Sequence, residues 1–272
     1  MIKLFGGRVS LRGPQIVVLG FAGVILSGAL ALMLPISSAA GEFTPFLDAL
    51  FTSTTSVCVT GLVVQDTGSY WSTFGHTVIL LLIQIGGLGV ITVTAFFSIL
   101  AGRKIDLFQR RTLQEAVAAP QLGGIVRLTG FILKATFVME LLGAAILAPT
   151  FIRDFGLWQG LWMAVFHSVS AFCNAGIDLM GIREPYSSMT TYIGSPAVNI
   201  AIMGMIVAGG LGFLTWEDIR AHGIHLRKYR MQSKVILATT AGLIFLPAIG
   251  FFFLEFEHLP LNERILSMRI KS

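Results

Sequence analysis

Apolar runs alternate with short polar stretches along the whole chain, and they come in two lengths. Five runs are long: about 14–36, 74–100, 127–150, 194–216 and 235–254. A helix rises ~1.5 Å per residue, so ~20 apolar residues cross the ~30 Å hydrocarbon layer of a bilayer. Two other segments, about 45–57 and 157–172, are too short and too polar to cross, yet each lies between two long runs. A helix that dips into the membrane and returns as extended backbone accounts for them. Irregular backbone at that depth is tolerated only where protein buries it or where it lines a wet cavity. The pattern therefore predicts an all-α integral membrane protein of repeated helix–pore loop–helix units, with five transmembrane spans and two re-entrant pore helices.

The dips are copies of one another. Ala49–Leu62 aligns without a gap on Ala164–Ile177 at an offset of 115 residues, sharing Ala, Phe, Ser, Cys and Gly in register. Such self-similarity outranks any local propensity in reading a fold. A second match pairs Ile83–Thr92 with Ile206–Thr215 at an offset of 123, so the outer loop of the second repeat is longer by eight residues. The chain divides into a first unit at 1–101, a second at 102–217, and the opening helix of an incomplete third at 218–272. Thr44 before Pro45 predicts a hydroxyl N-cap with Pro at the first helical position. The helix it starts stops where the chain extends, at Val57–Gly61. The polar segment Gln65–Ser72 lies outside. Gly86, Gly87 and Gly89, and again Gly209, Gly210 and Gly212, sit inside spans, where each costs about 1 kcal/mol against Ala. Close helix packing is the simpler reading of them and a hinge the alternative.

Composition strengthens the membrane assignment. The 272 residues are 54% hydrophobic and 12% charged, against about 25% charged in soluble domains. The net charge of +5 is not a nucleic-acid footprint, because the basic residues lie in short loops without interleaved aromatics. Thirteen of the 19 Lys and Arg fall in 1–13, 103–127 and 220–234, which puts these segments and the N-terminus in the cytoplasm, with both dips entering from outside. Among the inner residues are Arg103, Lys104, Arg110, Arg111 and Arg127, then Arg220, Arg227, Lys228, Arg230 and Lys234. The first run exceeds 20 residues without a small-residue cleavage site, so it reads as an anchor. No HExxH, GxSxG or carboxylate pair beside a nucleophile occurs, so the chain is not read as an enzyme.

The dips carry the chemistry. A cation crossing a bilayer must exchange its hydration shell, and backbone carbonyls can supply the replacement. The candidates are the carbonyls of Val57, Cys58, Val59, Thr60 and Gly61, and of Phe172, Cys173, Asn174, Ala175 and Gly176. The C-terminal end of each short helix, with its partial negative charge, points inward and favours a cation there. Neither stretch contains a carboxylate, so a monovalent cation, K+ first, is the better fit. Thr54, Thr55 and Ser56 could hold the first filter by hydrogen bonds or simply cap a helix end. His167, the counterpart of Thr52, reads as a packing or hydrogen-bonding residue. Cys58 and Cys173 read as small thiols packed behind the loops, neither metal ligands nor a disulfide. Glu140 is an ionisable group in mid-span, a functional candidate by default; Lys134 lies nearer the inner surface and can snorkel.

The stretch Thr55–Thr67, the Gly-Gly-Leu-Gly helix that follows it, and their second copies at Phe172–Ile177 and Gly209–Gly212 resemble the Ktr/Trk superfamily of potassium uptake proteins, in its KtrB branch. The resemblance implies four helix–pore–helix units around one pore, each giving one filter glycine, matched here by Gly61 and Gly176. It also implies a cytoplasmic nucleotide-binding regulatory subunit and two pore subunits side by side, in the cell membrane. The expected function is the pore-forming part of a K+ uptake system, the alternative a non-conducting half-subunit or truncated fragment with a structural role. Two loops close half a ring, so a second copy or a missing half is expected, and truncation is the preferred reading.

Overall fold

The computed structural model describes residues 2–4, 7–9, 13–89, 92–93, 112–114, 125–250 and 253. In the first repeat, α1 (Gly13–Met33) leads through a 3-10 turn (Pro35–Ser37) to α2 (Phe46–Cys58), the single turn α3 (Thr67–Tyr70) and α4 (Thr73–Leu88). In the second, α5 (Ile125–Phe155) runs through Gly156 into α6 (Leu157–Phe172). Two 3-10 turns, Met180–Ile182 and Ser188–Tyr192, then lead to α7 (Pro196–Gly210) and α8 (Phe213–His222), and α9 (Met231–Gly250) follows. An antiparallel hairpin, β1 (Ile2–Leu4) with β2 (Gly7–Val9), precedes α1. Strands of three residues leave no periodicity to read, so the otherwise all-helical pattern does not predict it.

Among the described residues, three helices are long and apolar enough to cross a membrane: Pro14–Met33, Val126–Phe155 and Met231–Gly250. Their outer faces carry Leu30, Leu141 and Leu246 at 62%, 71% and 72% exposure. Water would penalise such faces, but lipid is their natural solvent. Helix α4 is apolar but has 16 described residues. The remainder of the span predicted to 100 falls largely outside the described residues. So do Arg103, Lys104, Arg110 and Arg111, and the tail Glu255–Ser272.

The span predicted as one helix over 194–216 is two. Helices α7 and α8 meet at 96°, and only together are they long and apolar enough to cross a membrane. Gly212 adopts φ +77° at the corner, a conformation that penalises any side chain. Across the corner, the Trp216 indole Nε1 donates to the Ala208 carbonyl at 2.9 Å, which satisfies a carbonyl that the end of α7 would otherwise orphan. The first repeat breaks at the matching place: Gly89 closes α4 at φ +82°. The N-cap expectation at Thr44 also changes. Pro45 is the N-cap residue of α2 and no side chain caps it. Its carbonyl accepts from Ala49 N, while the buried Thr44 Oγ1 receives the Tyr70 hydroxyl at 3.2 Å.

Each short helix packs between the two longer helices of its own repeat, α2 against α1 and α4, and α6 against α5 and α7. The contacts repeat residue for residue. Ser53 Oγ donates to Ile25 O at 2.7 Å and Ser168 Oγ to Glu140 O at 2.6 Å. Gly28 and Gly143 make room for these serines. Gly86 lies against the Val57 carbonyl and Gly209 against the Phe172 carbonyl.

Other contacts run between the repeats and within the second. Asp66 Oδ2 accepts from Ser69 N and Oγ at 2.8 and 2.7 Å, while its Oδ1 accepts from Tyr186 N at 2.9 Å, 120 residues on. Near the C-terminal end of α5, Asp154 takes the Tyr192 hydroxyl at 2.7 Å and pairs with Arg183 at 3.1 Å. Burial and that bond to Asp154 push the Tyr192 phenol above its usual range.

The glycine contacts give a first prediction. A Cβ at Gly209 would run into the Phe172 carbonyl, whereas at Gly204, on the same helix, it meets nothing within 4 Å. Gly209→Ala should therefore destabilise by about 1–3 kcal/mol through overpacking. Gly204→Ala should stabilise by about 0.4–1 kcal/mol through lost unfolded-state entropy. Thermal unfolding in detergent, followed by size-exclusion recovery, checks both signs.

Candidate functional site

Helix α2 ends at Cys58, with Val59 in the left-handed region at φ 57°. Its counterpart Asn174 has φ 58°. One residue beyond each ordinary neighbour the left-handed conformation returns, at Gly61 (φ +74°) and Gly176 (φ +67°). Asn tolerates φ > 0 by bonding locally, but for a β-branched Val it is an outlier of the kind found at functional sites. The chain is held in this shape by the helix it has just left. Thr60 N donates to Thr55 O at 3.0 Å and Ala175 N to Ser170 O at 2.7 Å.

One hydroxyl secures the far side of each turn. Thr55 Oγ1 pairs with the Thr60 hydroxyl and accepts from Leu62 N at 3.0 Å. Ser170 Oγ donates to Ile177 O at 2.6 Å and accepts from Ile177 N at 3.1 Å. Thr55 and Ser170 are equivalent, as are Leu62 and Ile177, so the anchor is a property of the repeat. Of the three hydroxyls singled out in the sequence only Thr55 serves it. Thr54 Oγ1 and Ser56 Oγ bond back to Leu50 O and Thr52 O of their own helix.

The second turn has a further support. The buried His167 uses both ring nitrogens: Leu179 N approaches Nε2 at 3.2 Å and Nδ1 lies 2.7 Å from Met163 O. Since Nε2 accepts, Nδ1–H donates, which fixes the neutral tautomer. The extended segment after Gly176 is thus pinned to α6 at two points.

The two strands face one another through their glycines. A Cβ on Gly61 would lie 2.8 Å from Ala175 O, and one on Gly176 would lie 3.6 Å from Gly61 Cα. The structure thus brings together Thr60, Gly61, Ala175 and Gly176. Val57, Cys58 and Phe172 are helical, and the carbonyls of Val57 and Phe172 are taken up against Gly86 and Gly209. Cys173, Val59 and Asn174 form the turns between helix and strand.

The six span glycines divide by task. Gly86 and Gly209 admit the carbonyls of their own short helices, and Gly89 and Gly212 make the breaks. A Cβ on Gly87 would meet Cys173 Sγ at 2.5 Å, while Gly210, its counterpart, meets only Asn174 Nδ2, at 4.0 Å. Both cysteines are free, Cys173 half-buried and Cys58 exposed. The expectation of two packed thiols is therefore corrected at Cys58. Cys173 packs on Gly87 of the preceding repeat, whereas Cys58 is exposed. Glu140 is buried on α5, and Lys134 is exposed on the same helix.

The outer flank of the second repeat differs from that of the first. Ile79 and Ile83 of α4 are fully buried, whereas Ile206, the counterpart of Ile83, is 43% exposed. There a cavity of about 300 Å³ opens beside the second strand, lined by Ser170, Asn174, Gly176, Asp178 and Ile202 among others.

Comparison with known proteins adds a family. Residues 12–259 match the TrkH family, described as "Cation transport protein". The chain is 38% identical over 263 residues to "Potassium/sodium uptake protein NtpJ" of Enterococcus hirae, covering 97% of this chain and 57% of that protein. It is 36% identical over 250 residues to "Ktr system potassium uptake protein B" of Bacillus subtilis, covering 92% and 54%. Its counterpart in Vibrio alginolyticus is 34% identical over 255 residues, with the same coverage. The chain spans about half the length of these relatives.

The hydroxyl anchors yield a second prediction. Thr55→Val keeps the shape but leaves Leu62 N without its acceptor, and Ser170→Ala does the same to Ile177 N. Ser170→Ala should cost about 1–3 kcal/mol for an unsatisfied buried donor, and Thr55→Val should fall at the lower end of that range, since Leu62 is 62% exposed. Thr54→Val, on the adjacent position, should cost less than half as much; urea or thermal unfolding of the three variants in detergent tests the order.

Proposed function

The chain belongs to the TrkH family of cation transport proteins, and from that premise we propose that it contributes two quarters of the wall of a K+ uptake pore. The observation that carries the proposal is the repeated αL–x–αL turn at 59–61 and 174–176. In an ordinary strand successive carbonyls point to opposite sides. Left-handed residues on either side of an ordinary one turn them toward a common side, as ion coordination requires. Thr60, Gly61, Ala175 and Gly176 supply the carbonyls, with Val59, Cys173 and Asn174 shaping the turns. The C-terminal ends of α2 and α6 add partial negative charge behind them. Asp48 in the first turn of α2 complements the other end of that dipole.

Half a ring cannot surround an ion. The first repeat covers its own flank with the second, burying Ile79 and Ile83 fully. The matching flank at Ile202 and Ile206 is open, which supports a further unit of the same kind against it. A second copy of this chain, or two further units, would close the ring and keep the filter carbonyls from lipid. The relatives named as parts of a "Ktr system" further support a cytoplasmic regulatory subunit at the inner loops. There Arg227 and Lys228 are exposed, while Arg230 is committed to Glu217 and Asp218. This orientation places the N-terminus in the cytoplasm. The open flank also favours a second reading, in which the chain alone is a non-conducting structural half.

Rb+ uptake in a host lacking its own potassium systems tests the proposal, with the mass of the purified protein in detergent as the companion measurement. K+-competed Rb+ flux is expected, and its absence from a well-expressed, membrane-inserted protein favours the structural reading. Gly61→Ser should weaken discrimination of K+ over Na+ more than it lowers expression. Unchanged selectivity at equal protein level would remove the filter assignment.

A further inference from the structure

We propose that Gln84 and Glu140 form a polar latch across the seam between the two repeats, which orients the second filter strand and so sets cation discrimination. The inference rests on the transport reading above.

The seam is where α4 of the first repeat lies against the start of the second filter. Two of its contacts are one helical turn apart on α4. Gly87 packs on Cys173, the first residue after α6, and three positions earlier the Gln84 side chain lies beside the Glu140 carboxyl. Residues three apart share a helix face. Glu140 is 6% exposed. Neither its Oε1 nor Gln84 Nε2 has a hydrogen-bond partner among the described residues. A buried amide donor and a buried carboxyl acceptor, adjacent and unpartnered, need only a small side-chain rotation to satisfy each other, and leaving either unmade is costly.

The pair is also where the repeats part. Position 140 matches Ile25, and both backbones do the same work, receiving the Ser53 or Ser168 hydroxyl. Position 84 matches Val207. The repeat therefore has an apolar solution at both positions, and the polar pair at this seam is an addition to it. Packing alone does not require it, since a buried polar pair is often no more stable than apolar residues of the same volume. What it adds is direction: a bond between two side chains fixes the rotation and height of α4 against α5. Through Gly87 that setting is transmitted to Cys173 and the strand it begins. Gln84 and Glu140 are thus positioning residues, which touch no ion.

Five chains test this: the parent, Gln84→Val, Glu140→Ile, the double variant carrying both, and Glu140→Gln. Each is assayed for Rb+ and Na+ uptake as the assembled transporter and for thermal stability in detergent. Glu140→Ile should lower Rb+-over-Na+ discrimination several-fold and raise the half-saturation concentration for Rb+ more than it lowers the maximal rate. Glu140→Gln, which can still pair with the Gln84 amide, should retain most of the discrimination. The double variant should recover the stability that either single change loses, as coupled neighbours do, without recovering selectivity. Parental selectivity in the double variant would overturn the latch, and so would a Glu140→Gln as impaired as Glu140→Ile, since the charge alone would then be responsible. A parent without flux would refute the transport reading instead. In that case the stability cycle still decides, because strictly additive effects of the two single changes would show that the side chains do not interact.

Discussion

Everything in this structure answers to one constraint: an unwound backbone at membrane depth must find its hydrogen bonds within the protein. Each turn, at 59–61 and at 174–176, meets it in the same way. The last carbonyls of the short helix receive the first amides of the turn, and a single hydroxyl, Thr55 or Ser170, takes the amide beyond the glycine. The short helix must then be rigid, and Ser53 and Ser168 fasten it to the preceding span. It must also be approached closely from behind, which is why Gly86 and Gly209 carry no side chain. The glycines that look wasteful by helix propensity are the condition for bringing carbonyls and spans together.

The two repeats solve this problem identically at their centres and differently at their edges. Val59 and Asn174 share one backbone conformation with unlike side chains, so the fold imposes that conformation against residue preference at Val59. At the rim the outer loops diverge in length, and the longer one reaches back to Asp66 through Tyr186. Symmetry thus belongs to the filter and its supports, while the seam carries what is specific to the pairing of these two units.

Much of this was legible in the sequence. The second short helix, read at 157–172, is α6 residue for residue, because its repeat partner and the turn at Gly156 bracket it. The first, read at 45–57, is displaced by one residue, since Thr44 resembles a cap but spends its hydroxyl on Tyr70. What escaped the sequence was direction. Apolar composition is the same on both sides of a bend, so the corner between α7 and α8 read as one span over 194–216. Likewise the glycine runs announced a constraint without saying that their members divide it into carbonyl packing, inter-repeat contact and breakage. The filter residues were named as a block of five in each repeat; only the backbone angles separate the helical Val57, Cys58 and Phe172 from the turn that follows.

The locality of the filter's hydrogen bonds has a consequence for biogenesis. Thr55 and Leu62 are separated by seven residues, as are Ser170 and Ile177. Each turn can therefore satisfy its own backbone as soon as its short helix has formed, while the rest of the chain is still being synthesised. A polar loop that had to wait for a distant partner would present bare amides to lipid during translocation, at several kcal/mol for each group. A re-entrant segment that is self-contained at birth can be released into the bilayer one repeat at a time, and lateral assembly around the ion path can follow as a separate event.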